Sequence, residues 1–157
     1  GAYRKMKPRK IAIGADHKGF KLKEEIKKKL ASEGHQVTDL GGFSEDSVDY
    51  PEFACKVGKT VSEGKVDFGI AICWNGTGMT IAANKVRGVR AALCINADMA
   101  RLAREHNDAN VLTLGSRYIT PDIAELIVKT WLETDFAGGR HERRVEKIRQ
   151  IEEKGGC

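Results

Sequence analysis

At 157 residues, 41% hydrophobic and 31% charged, the chain has the length and composition of one ordinary globular domain able to bury a core. No apolar stretch reaches the length of a membrane span and no charged-then-apolar leader opens the sequence, so a membrane partner is not expected. The net charge of +5 favours anionic partners, but the basic residues are interspersed with acids, which argues against nucleic acid.

The basic, non-periodic opening, with its first Met at position 6, reads over residues 1–9 as a flexible arm or an expression remnant. A single domain is expected over residues 10–154. Ile11-Ala12-Ile13-Gly14-Ala15 is a short buried strand, and Phe20, Leu22, Ile26 and Leu30 then follow at helical spacing. A second strand is expected over 36–40, and a helix entered through Pro51 that carries Phe53, Val57 and Val61. Residues 66–72 form a third strand, 89–95 a fourth and 110–114 a fifth. A helix is expected over 96–105, and another after Thr120-Pro121, with Thr120 as N-cap and Ile123, Leu126, Ile127 and Trp131 on one side. A charged helix closes the chain over Arg140–Lys154. This alternation predicts an α/β fold: a three-layer α/β/α, Rossmann-like sandwich with about five mostly parallel strands.

The most informative segment is Cys73-Trp74-Asn75-Gly76-Thr77-Gly78-Met79-Thr80, which joins the third strand to a short helix. A thiol at the end of a buried strand then faces a glycine-bearing loop rich in unpaired N–H groups, an environment that favours anions and thiolates. The alternative is a plain turn with a buried, inert cysteine. Ligands in such sheets bind beyond the carboxyl ends of the strands. Asp16-His17, Cys73 and Asn96 to Asp98 all fall there, although Asp16 and Asp98 also suit helix capping. The four cysteines (55, 73, 94 and 157) have neither metal-like nor disulfide spacing, so no metal is expected and a reducing, cytoplasmic setting fits.

Several motifs in order resemble the family of type B ribose-5-phosphate isomerases and galactose-6-phosphate isomerase subunits. They are Ile13-Gly14-Ala15-Asp16-His17-Lys18-Gly19-Phe20, Ser47-Val48-Asp49-Tyr50-Pro51 and Gly78-Met79-Thr80-Ile81-Ala82-Ala83-Asn84-Lys85. Three more follow: Arg90-Ala91-Ala92-Leu93-Cys94, His106-Asn107-Asp108-Ala109-Asn110 and Gly138-Gly139-Arg140-His141-Glu142-Arg143-Arg144. The resemblance covers roughly residues 10–150. It implies an aldose–ketose isomerase of a phosphorylated sugar, foremost ribose 5-phosphate to ribulose 5-phosphate, without metal or organic cofactor.

By that resemblance Cys73 is the base of a cis-enediolate route, His106 serves ring opening, and Asp16 and Asn107 orient sugar oxygens. Amides around Gly76, Thr77 and Gly78 face the developing oxyanion. Tyr50 and Asn75 line the cleft. His17, Arg117, Arg140 and Arg144 hold the phosphate, for which the guanidinium fork is well shaped. Arg140 and Arg144 come from a neighbouring subunit, so the resemblance implies a homodimer, or a tetramer, with shared sites. A monomer obtained by dilution is expected to be inactive.

Many relatives read Cys-Gly-Thr where this chain has Cys73-Trp74-Asn75, which leaves another pentose or a hexose phosphate open as substrate. A phosphatase is disfavoured, because Met79 stands where a cysteine phosphatase needs its arginine. A dinucleotide site lacks the closely spaced glycines after Gly14. A non-catalytic module binding a sugar phosphate or nucleotide on the same scaffold is the remaining alternative.

Overall fold

Short apolar runs closed by turns form the strands, and the intervening segments with helical apolar spacing form helices that cover them. The computed structural model describes residues 7–157, so most of the basic opening lies outside the described residues. In chain order the elements are β1 (Lys10–Ala15), α1 (Phe20–Ser32), β2 (Gln36–Asp39), α2 (Tyr50–Ser62), β3 (Phe68–Cys73), α3 (Thr77–Ala83), β4 (Ala91–Leu93), α4 (Ala97–Asn107), β5 (Val111–Gly115), α5 (Pro121–Glu133) and α6 (Arg140–Lys154). The strands form one sheet in the order β2-β1-β3-β5-β4, with every pairing parallel. The expected three-layer sandwich is the observed one.

The central strands are buried on both sides, as parallel strands between helical layers must be. Ile13, Ile70, Ile72 and Leu114 pack under α1, α4 and α5. Ala71, Cys73 and Val111 face Phe53 and Val57 of α2 and Met79 of α3. Each fully buried Ile or Leu contributes about 1.5–3 kcal/mol of transfer free energy. Gly14 allows α2 this close, since a Cβ there would stand 2.9 Å from Val57 Cγ2.

Two expectations need correction. The strand expected over 89–95 is only Ala91–Leu93. It is an edge strand, and Asn84 closes its outer side by accepting from Ala91 N and donating to Ala91 O, while Asn110 Oδ1 takes Arg90 N. On α5 the buried residues are Ala124, Ile127, Val128, Trp131 and Leu132. Ile123 and Leu126 are 42% and 55% exposed, so the inward stripe is rotated from the expected side.

Parallel pairing means that each helix between neighbouring parallel strands starts at the carboxyl edge of the sheet and ends at its amino edge. That rule decides where each candidate residue stands.

Candidate active site

Three loops meet at the carboxyl edge, after β1, β3 and β5. Asp16 N donates to Ile72 O at 3.2 Å, and Ser116 N to Cys73 O at 3.0 Å. Arg117 N donates to Trp74 O at 2.8 Å, and Ser116 Oγ donates to Lys18 O at 2.9 Å. The approach is close enough to require glycine. A Cβ on Gly115 would lie 2.5 Å from the Asn75 carbonyl carbon, and one on Gly19 would lie 2.5 Å from Ile72 O. Gly76 turns the β3 loop with φ of 81°, a left-handed conformation that few side chains tolerate.

Cys73 is 3% exposed at the end of β3. Burial pushes its thiol above the ordinary range, and the Asp16 carboxylate pushes the same way. The backbone amides of Met79, Gly76 and Asn75 hydrogen-bond toward the sulfur and pull in the opposite direction without prevailing. The loop thus gathers amides around Sγ as expected, yet the resting group is the neutral thiol. Of the amides expected to serve an oxyanion, that of Thr77 is already engaged by Asn75 Oδ1 at 3.1 Å.

The remaining residues of this edge have defined roles in its geometry. Asp16 is 5% exposed, and its Oδ1 accepts from Lys18 N and Gly19 N, both at 3.0 Å, which fixes the β1 loop. His17 Nδ1 accepts from Val48 N at 3.2 Å, so the neutral ring carries its proton on Nε2, free to donate. The Tyr50 ring roofs Gly78, where a Cβ would lie 2.5 Å from the Tyr50 Cζ. Arg117 stacks on the exposed Trp74 ring, 4.4 Å from its centroid. Thr80 Oγ1 donates to Gly76 O at 2.7 Å and meets Thr113 Oγ1 at 2.6 Å, a clamp on the loop that sequence reading missed. Asn96 caps α4 by accepting from Met99 N, and Asp98 pairs with Arg101, so both are spent on structure.

His106, Asn107, Arg140 and Arg144 are not in this cluster. His106 and Asn107 end α4, whose eleven residues carry them about 16 Å from the carboxyl edge to the amino edge. There His106 stacks on His141 at 4.2 Å between ring centroids and 12° between planes. Ala137 N donates to Glu105 O, which brings the start of α6 beside the end of α4. Desolvation and the neighbouring charges of His106, Arg140 and Arg144 hold the His141 pKa below the ordinary imidazole range. An open groove lined by Asp108, Phe136, Gly139, Glu142 and Arg143 runs alongside. Within one protomer the expected site residues therefore fall into two clusters at opposite edges of the sheet, and His106 and Asn107 lie with Arg140 and Arg144, the pair expected from a neighbouring subunit. His141 went unassigned in the sequence, although it sits between Arg140 and Arg144. Among the described residues no group of three His, Cys, Asp or Glu is placed to hold a metal ion.

Residues 11–148 match the model of the ribose/galactose isomerase family. The chain belongs to that family. It is 47% identical to ribose-5-phosphate isomerase B of Escherichia coli, over 93% of this chain and 98% of the relative. The fold superposes on the ribose-5-phosphate isomerase B of Clostridium thermocellum with a TM-score of 0.92 and 53% identity, covering 94% of this chain and 99% of the other. The enzyme of that name from Mycoplasma genitalium, solved with bound ribulose-5-phosphate, gives a TM-score of 0.89 and 43% identity, covering 92% of this chain and 97% of the other.

Proposed function

We propose that this chain interconverts an aldose phosphate and its ketose, ribose 5-phosphate and ribulose 5-phosphate foremost, in a site that two copies complete. The carboxyl edge of one copy supplies Cys73, Asp16, His17, Tyr50, Asn75, the Gly76–Gly78 turn and Arg117. The amino edge of the second supplies His106, Asn107, Arg140 and Arg144. The observation that carries this reading is the Cys73 thiol, buried at a strand end and ringed by backbone amides beside a carboxylate.

The chemistry runs in two stages. As the sugar opens, the bond from C1 to the ring oxygen breaks, His106 gives that oxygen a proton, and the O1 hydroxyl releases its own proton to solvent, from which His106 is reprotonated, while Asn107 and Asp16 hold the other hydroxyls. Cys73, as thiolate, then removes the proton on C2 of the aldose, and the electron pair forms the cis-enediolate. The same thiol returns the proton to C1, while a hydroxyl proton passes from O2 to O1. Negative charge builds on oxygen in this step, and aimed N–H donors lower its cost; the Gly78 amide, left free by Asn75, suits that role. His17 Nε2–H, Arg117, Arg140 and Arg144 hold the phosphate and so anchor the reacting carbons.

The amides that lower the thiol pKa and the burial that raises it oppose each other, which leaves a base of high intrinsic proton affinity. That suits a weak carbon acid once substrate has entered. The test is NMR of pentose and hexose phosphates with the protein in deuterated buffer. Conversion of one sugar with solvent deuterium entering at carbon is expected. Folded protein that neither converts nor exchanges any of them contradicts the reading.

A further inference from the structure

The carboxyl edge holds an exposed indole flanked by two unneutralised cations. Trp74 is 47% exposed. Arg117 Cζ lies 4.4 Å from the ring centroid, and Lys18 Nζ lies 6.0 Å from it. Both cations are exposed, and no carboxylate of the described residues is within ion-pair distance of either. A guanidinium held over an aromatic face by its carbon still has N–H donors to offer an anion.

The stack is fixed from the backbone outward. Arg117 N donates to Trp74 O, and Ser116 N donates to Cys73 O. At Gly115 the two loops approach so closely that a Cβ would lie 2.5 Å from the Asn75 carbonyl carbon, which leaves no room for a side chain between them. Trp74 follows the thiol directly in sequence, so the orientation of Arg117 is referred to Cys73 through one residue.

We propose that Trp74 is a positioning residue that sets substrate choice. It holds Arg117 in one orientation beside Cys73, which fixes the separation between the bound phosphate and the reacting carbons. Sugar phosphates of one chain length are then favoured over shorter and longer ones. This rests on the reading of Cys73 as base and Arg117 as phosphate ligand given above.

The test compares wild type, Trp74→Ala and Trp74→Phe on tetrose, pentose and hexose phosphates. It adds a titration with inorganic phosphate followed by tryptophan emission, in wild type and Arg117→Ala. The other tryptophan, Trp131, is 1% exposed, so a change of emission reports Trp74. Trp74→Ala is expected to raise KM for the preferred substrate about tenfold with kcat unchanged, and to flatten the preference among chain lengths. Trp74→Phe restores most of both. Phosphate is expected to shift the emission of wild type and not of Arg117→Ala. An unchanged KM and an unchanged chain-length preference in Trp74→Ala overturn the proposal, as does a loss confined to kcat. If wild type turns over none of these sugars, the proposed isomerase reading fails by itself. The phosphate titration then still decides the stack: a response lost in Arg117→Ala supports it, and an absent or identical response overturns it.

Discussion

Cys73 and His106 stand at opposite edges of the same sheet, one at the end of β3 and the other in the last turn of the helix that leads back to β5. A helix of eleven residues separates the two edges by about 16 Å, far beyond the reach of either side chain. If both act on one sugar, they come from different copies. A two-fold assembly that places the carboxyl edge of one copy against the amino edge of the other supplies two equivalent sites.

Removing the base should remove the proton transfer and little else. Cys73→Ala is expected to lower kcat by about a thousandfold and to abolish deuterium uptake at C2. The phosphorylated ligand should still bind, because the phosphate ligands are untouched. Titration calorimetry with the product sugar phosphate checks that half, and uptake at the wild-type rate would assign the base elsewhere.

The thiol also sets a pH dependence. Burial holds the Cys73 pKa above the ordinary thiol range, so the proton is present at neutral pH and only the minor thiolate form reacts. The thiolate fraction grows about tenfold for each pH unit below that pKa. Accordingly kcat/KM should climb as pH rises from neutrality into the alkaline range. A profile that falls over that range contradicts a cysteine base.

Gly115 is needed for packing, not for its flexibility. A Cβ there meets the Asn75 backbone at 2.5 Å, and backbone cannot swing aside as a side chain can. Gly115→Ala is expected to cost about 1–3 kcal/mol of stability and to displace the loop that carries Cys73. Chemical denaturation measures the first effect and kcat the second. A variant with wild-type stability and turnover would show that the two loops are not in close packing.

Arg140 makes a selective prediction. Arg140→Ala should raise KM for a phosphorylated sugar by about tenfold or more, the loss expected of a charge-assisted hydrogen bond. Binding of the unphosphorylated sugar should change little. Equal losses for both would remove the phosphate from the role of Arg140.

Much of this was legible in the sequence because strand and helix periods differ and glycines mark the turns. The run ending at Cys73 reads as a buried strand, and Gly76 signals the left-handed turn that follows. The late start of β4 was not legible, since it depends on the Asn110 side chain taking Arg90 N, a backbone group that a longer ladder would use. The rotated stripe on α5 escaped because Ile123 and Leu126 are as apolar as the buried residues beside them. The separation of His106 from Cys73 had a readable signal. His106 falls just ahead of a strand, and in a parallel sheet a residue there must lie at the amino edge. The Trp74–Arg117 stack had none, since it depends on side-chain orientations of residues distant in the chain.

Mixed subunits test the shared site most directly. Purified Cys73→Ala and His106→Ala proteins, each inactive alone, are unfolded together, refolded and assayed. In a mixed dimer one site joins the intact Cys73 of one chain to the intact His106 of the other, so random assortment should restore about a quarter of wild-type activity. A mixture as inactive as its parents, with mixed dimers shown to be present, would contradict a site built from two copies.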